Sequence, residues 1–151
     1  MLIILKPEYK LITAEQIDQV VCGENPDPAK NPILHDIVKG HMIHGPCGRF
    51  NPTRPCMVPS KKGSQSLICS KHFPKEFADE TVINKDGYFL NRRRQRGDKS
   101  GFTATFRSGD REFTVDNRWV VPYNKYLSER FDTHVNVEVC SSVQSVKYLY
   151  K

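Results

Sequence analysis

The sequence predicts an α+β fold, an antiparallel sheet with helices packed on one side and a loop-rich insertion, and three observations carry that prediction. Short apolar segments at 81–83, 88–93, 102–106 and 112–115 are separated by turn signals at Asp86-Gly87, 97–101 and 108–110, which favours a meander of antiparallel hairpins. Capping residues mark helices on both sides of these segments. Between them, residues 41–75 are rich in Pro, Gly, Ser and Cys and poor in large apolar side chains, so a hydrophobic core can hardly hold them.

The elements follow in chain order. Residues 2–5 are a continuous apolar run that predicts a buried strand, and with no turn before it the chain is expected to begin inside an element. Thr13 with Gln16 three positions later forms a capping box for a helix to about Val21. Asn31 before Pro32 starts a second helix, with Ile33, Ile37 and Val38 on its buried side. Trp119, Val120 and Val121 of DNRWVVPY are assigned to the core rather than to ligand contacts. Pro122 precedes a helix over 124–131.

In HVNVEVC (134–140), Val135, Val137 and Val139 fall on one face of an extended strand, and His134, Asn136, Glu138 and Cys140 on the other, because side chains alternate with period two. Ser141 or Ser142 then caps a last helix, with Val143, Val146 and Leu149 or Tyr150 at helical spacing and Tyr148 riding on it. No Gly, Asn or Pro terminates it before Lys151, so the sequence predicts that this helix continues.

The bulk properties narrow the function. A length of 151 residues with 38% hydrophobic content suits one domain with a modest core. A net charge of +6 and a pI near 9.1 favour a polyanionic partner, nucleic acid ahead of a membrane surface. No run approaches the ~18 apolar residues of a spanning helix, and the start lacks the pattern of a signal peptide, so a soluble intracellular chain is expected. Five cysteines, an odd number with three near histidines, suit reduced thiols and a metal site better than a disulfide framework.

His44 and Cys47 in HGPCG, Cys56 in RPC and Cys69 in ICSKHFPK offer three thiolates and an imidazole, a donor set that suits tetrahedral Zn²⁺ and disfavours Mg²⁺ or Ca²⁺. His41 and His72 are rival fourth ligands, since either could replace His44. A structural zinc would staple residues 41–75. The competing reading, small buried residues in a loop, leaves a segment poor in core formers without anything to fix it.

Arg92, Arg93, Arg94 and Arg96, followed by Lys99 and flanked by Tyr88 and Phe89, form a candidate phosphate-neutralising patch with aromatics for unpaired bases. A solvated loop is the plainer alternative. Tyr148 is a candidate nucleophile, because a phenolic oxygen can attack a phosphodiester when a metal ion polarises the phosphate. Glu138 and His134, on the polar face of the preceding strand, are candidate ligands for that ion. Tyrosine in a helix is otherwise most often packing.

HMIHGPCG, NPTRPCM, CSKHFPKEF, DGYFLNRRR, DNRWVVPYN and HVNVEVCSSVQSVKYLYK, in this order, resemble the replication-initiator-like region of Helitron transposases, the rolling-circle elements of eukaryotic genomes. The resemblance covers nearly the whole chain. It implies a nuclear protein acting on single-stranded DNA, similar to nicking enzymes of the His-hydrophobic-His (HUH) class. In these, two histidines on a central strand bind Mg²⁺ or Mn²⁺ and helix tyrosines cut the strand. MLIILKP looks like the apolar strand that follows the family's His-Ala-His segment, which would place Met1 just beyond the second histidine.

The family's Lys-Tyr-x-x-Lys-Tyr motif maps Lys147 and Tyr148 onto its first half and Lys151 onto its second lysine, with the second tyrosine past the end. His44, Cys47, Cys56 and Cys69 match positions the family keeps in its insertion. The resemblance thus implies that 1–151 is one partial domain whose metal-binding insertion is 41–75 and whose flanking nuclease and helicase segments lie elsewhere. Tyr148 would be the nucleophile of the intact parent, Glu138 would orient or ligate its metal, and Arg92, Arg93, Arg94, Arg96, Lys147 and Lys151 would contact DNA. The chain alone is expected to be catalytically incomplete, and without a GxxxxGK[ST] loop it has no helicase site of its own. The alternative is a non-enzymatic, zinc-stabilised nucleic-acid-binding module or an unstable transposon remnant.

Overall fold

The computed structural model describes residues 3–83, 89–97 and 100–139. The expected tyrosine helix, with Lys147, Tyr148 and Lys151, lies outside the described residues, as do Tyr88 and Lys99. The fold is α+β, with three α-helices and small antiparallel sheets among the described residues.

Each helix starts where its cap predicts. For α1 (Ala14–Val20) the Thr13 hydroxyl accepts from the Gln16 N–H and the Gln16 side chain accepts from the Thr13 N–H, so two otherwise orphaned donors are satisfied reciprocally. Ile17 is its buried residue. Asn31 caps α2 (Pro32–His41) by accepting from the Leu34 N–H, and Pro32 occupies the first turn, where its missing N–H costs nothing. The buried stripe of α2 is Leu34, Ile37 and Val38; Ile33, expected inside, is 70% exposed. It stands one position, about 100°, off the i, i+3, i+4 row that faces the core. Asn124 caps α3 (Lys125–Phe131), which packs against α2 and ends at Asp132 in the left-handed conformation.

The strands form three separate antiparallel ribbons: β1 (Met57–Pro59) with β2 (Leu67–Cys69), β3 (Val82–Ile83) with β4 (Phe89–Leu90), and β5 (Ala104–Ser108) with β6 (Arg111–Val115). Among the described residues no ladder joins one ribbon to the next, so the expected meander resolves into independent hairpins. Single bridges tie the connections instead, at Cys22 to Tyr123, Ile43 to Val120, Ala78 to Arg93 and Tyr123 to Asn136. The β1–β2 ribbon lies inside the insertion, where the sequence predicts no strand.

Residues 3–5 form no strand and are exposed, contrary to expectation. An apolar run becomes a strand only where a neighbouring edge accepts its backbone groups, and none pairs with it among the described residues. Residues 134–139 form no strand ladder, only the single bridge from Asn136 to Tyr123, but they keep the predicted alternation, with Val135, Val137 and Val139 half-buried and His134, Asn136 and Glu138 exposed.

Two apolar clusters divide the interior. Leu34, Val38, Met42, Val120 and Tyr123 form one beneath the helices; Cys47, Cys69, Ala104, Val115 and Trp119 form the other. Consecutive residues Trp119 and Val120 face different clusters, and Ile43 packs against both. No helix among the described residues is long and apolar enough to cross a membrane.

Candidate metal centre

The chain leaving α2 is docked backbone to backbone against 119–121: the His44 N–H donates to the Trp119 carbonyl at 2.8 Å and the Val121 N–H to the Met42 carbonyl at 2.7 Å. That fixes the His44 backbone on the core. Its ring stacks on Phe73 at 4.2 Å and 9° between planes, and lies nearly parallel to Trp119 at 6.5 Å. Cys47 follows three residues later at a buried position, with Gly48 at φ +64° turning the chain back.

The other two ligands come from the ribbon. Cys56 precedes β1 and Cys69 ends β2; Met57 stands opposite Cys69, and the Ser70 N–H donates to the Cys56 carbonyl at 2.7 Å. The long gap between Cys56 and Cys69 is therefore a hairpin that returns to its starting point. The four ligand atoms of His44, Cys47, Cys56 and Cys69 all lie within 4.8 Å of one another, with Cys69 Sγ 3.5 Å from His44 Nε2. Bonds of about 2.0–2.3 Å to a tetrahedral zinc imply ligand separations on the order of 3.5 Å, so little movement would bring all four onto one ion. The cluster can hold a metal ion such as zinc.

The electrostatics favour a cation between the sulfurs. Burial lowers the His44 pKa, and Arg54, Lys75 and Lys71 push it the same way, which keeps the imidazole neutral and free to accept. Burial alone would raise the Cys69 pKa, but hydrogen bonds from the backbone N–H groups of Phe73 and Lys71, with those of the neighbouring thiols, outweigh it and favour the thiolate. Cys47 is pushed up to about 12, first by burial and then by the sulfurs of Cys69 and Cys56. Three sulfurs this close cannot all ionise without a positive ion to share.

The geometry selects among the three histidines. His41 Nε2 is 3.3 Å from Asp132 Oδ1 at the end of α2, and His72 is exposed in a left-handed turn. Only His44 joins the sulfurs. Phe73 and Trp119 wall its ring, and spacing could not reveal them, since they come from separate parts of the chain.

The arginine run is placed differently from the expectation of an open phosphate patch. Arg93 is 4% exposed, and its Nη1 donates to the carbonyls of Gly23 at 3.1 Å, Asn117 at 2.6 Å and Val120 at 2.7 Å. Burial pulls its pKa down to about 10, which still leaves it charged at neutral pH. Arg94 grips Glu24 with two nitrogens, Nε at 2.9 Å and Nη2 at 2.7 Å, while Arg92 Nη1 lies 3.1 Å from Asp18. Arg93 thus holds backbone together rather than facing DNA, and its two neighbours are balanced by carboxylates. Their partners are 24 to 74 residues away in sequence (Arg93 to Asn117, Arg92 to Asp18), so no local signal reveals them. Arg96 alone of the four is exposed.

Glu138 is exposed and accepts from Asn136 Nδ2 at 3.1 Å, and His134 Nδ1 lies 2.7 Å from the His41 carbonyl oxygen. Among the described residues no group of three or more ligating side chains gathers around either of them. Comparison with known proteins finds no family model and no curated protein that matches this sequence.

Proposed function

We propose that His44, Cys47, Cys56 and Cys69 hold one structural Zn²⁺, and that the chain is the nucleic-acid-binding part of a replication-initiator-like region of the Helitron type. The observation that carries the reading is the convergence of four ligand atoms from three separate stretches of a segment with little core of its own. Three cysteines and one histidine form a closed donor set, with no open position for substrate, which favours a staple over a catalytic ion. The order of motifs along the chain supports the family assignment, and the net charge of +6 supports single-stranded DNA as the partner.

On this reading the zinc fixes loops 44–56 and 69–73 against Trp119, and the rest of the domain presents the strand to Tyr148, the nucleophile of the parent nuclease. Mg²⁺ or Mn²⁺ would supply charge stabilisation of the cleaved phosphate there. Glu138, on the exposed side of segment 134–139, would orient that chemistry, and the protein would work in the nucleus. Elemental analysis of the purified chain is expected to give one zinc per molecule. A labelled single-stranded oligonucleotide is expected to bind with strong salt dependence. Absence of zinc, with a fold indifferent to chelator, would remove the metal half of the reading; absence of binding at low salt would remove the other half.

A further inference from the structure

The positive charge of this chain has a definite address. Residues 41–75 contain Arg49, Arg54, Lys61, Lys62, Lys71 and Lys75 and not one Asp or Glu, so this segment alone accounts for the net charge of +6 and the remainder is balanced. None of these six makes an ion pair among the described residues, whereas Arg92, Arg94 and Arg118 each have a carboxylate within 3.5 Å. All but the half-buried Lys75 are exposed. Zn²⁺ with three thiolates would carry a single negative charge, which leaves the lobe strongly cationic.

The lobe also offers a stacking surface. Phe50 is 45% exposed, with its edges held against Trp119 at 6.4 Å and Phe113 at 6.5 Å and the Arg49 guanidinium 4.9 Å above its ring. An aromatic ring held in place and flanked by a cation is what unpaired bases stack on, and every base has such a face. Gly45 matters here, because a Cβ at that position would overlap the Arg54 guanidinium, which lies beside the metal ligands. The β1–β2 ribbon carries Lys61 and Lys62 in its turn.

Resting on the reading that the chain binds single-stranded nucleic acid, we infer that the metal lobe, and not the arginine run, is the binding surface. Arg49, Arg54, Lys61, Lys62 and Lys71 meet phosphates, and Phe50 stacks on a base. An anionic membrane is the other polyanion such cations would meet, but the lobe lacks the amphipathic helix that surface insertion uses. Binding on this lobe also makes affinity depend on the metal that shapes it.

The test uses the full zinc-loaded chain and a fluorescent 20-nucleotide oligothymidylate, read by anisotropy across a salt series. Replacing Arg54, Lys61, Lys62 and Lys71 together by Gln is expected to weaken binding about 50-fold near 0.1 M salt and to reduce the log–log salt slope by roughly 3, at about 0.7 per lost phosphate contact. A ribbon-turn variant, Lys61→Gln with Lys62→Gln, is remote from the ligands and is expected to reduce the slope by roughly 1.4, so the inference stays testable if the larger variant loses zinc. Replacing four exposed cations elsewhere, Lys6, Lys10, Lys125 and Arg130, by Gln makes the same charge change and is expected to cost about 3-fold or less.

Equal losses from the lobe set and the distant set, or wild-type binding by both lobe variants, would overturn the inference while leaving single-stranded DNA as the partner. Failure of the wild-type chain to bind the oligonucleotide would overturn that reading and the inference with it. So would tighter binding to phosphatidylserine vesicles than to the oligonucleotide.

Discussion

Around α2 and α3 the chain is held by apolar contacts and a buried polar network, whereas the β1–β2 lobe exposes Val58, Leu67 and Ile68 and gathers its ligands at one end. In the first region Asn117 accepts from the Asn25 N–H and donates to the Arg94 carbonyl, Tyr123 donates to the Glu24 carbonyl, and Arg93 ties three carbonyls together. These bonds join stretches between 23 and 99 residues apart in sequence. The lobe has nothing comparable beyond its four ligands and the wall of Phe73 and Trp119. Irregular backbone can be fixed by many buried hydrogen bonds or by one ion, and the two solutions fail in different ways.

The largest effect should separate the regions outright. Cys69→Ser is expected to lower zinc affinity by about 100-fold or more, since zinc-finger peptides bind with roughly 10–16 kcal/mol and one of four ligands is lost, and a strong chelator is expected to strip the ion from the unaltered chain. In hydrogen exchange, residues 44–75 should lose protection while Ile17 and Val38 keep theirs. Simultaneous loss in both regions would break the comparison.

Next comes Arg93→Met, which leaves the carbonyls of Gly23, Asn117 and Val120 without their donor. We expect a loss of about 3–5 kcal/mol, measured by urea unfolding, with zinc content per folded molecule unchanged. Arg93→Lys is expected to rescue only in part, because the lysine side chain is one atom shorter and holds its ammonium short of the point where Nη1 meets three carbonyls. A stable Arg93→Met chain with weakened oligonucleotide binding would return Arg93 to the DNA surface.

The smallest effect is acid sensitivity in the polar network. Burial would raise the Glu24 pKa, but the hydrogen bonds and charge of Arg94, helped by Arg92, outweigh it and hold the carboxyl below its usual value of 4.5. A depressed folded pKa means the stabilisation is fully present above pH 4.5 and is lost as pH falls through the lowered value. Glu24→Gln is expected to flatten the stability profile in that window and to cost about 2 kcal/mol at neutral pH. An unchanged acid profile in this variant would place the sensitivity in another carboxylate.

Much of this is written locally in the chain. Thr13 with Gln16, Asn31 with Pro32, and Asn124 each mark a helix start, because a cap is a contact between residues three apart. The alternation of 134–139 survives for the same reason. The four metal ligands were legible because their chemistry is unusual in a segment without core formers. The choice of His44 over His41 and His72 was not, since it depends on the docking of His44 against Trp119 and on Phe73. Residues 3–5 and Ile33 misled because apolar character alone does not say whether a partner surface is near.

The sequence by itself determined where the helices begin, which residues could form a metal-ligating set and that 41–75 carries the chain's net charge, all of which depend on residue type and short spacing. Only the tertiary structure decided what the cations do. Arg93 is drawn inside by three carbonyls, Arg92 and Arg94 are neutralised by distant carboxylates, and the cations of the metal lobe are left facing solvent. Charge is a property of the residue, but its availability is set by partners that arrive from elsewhere in the chain.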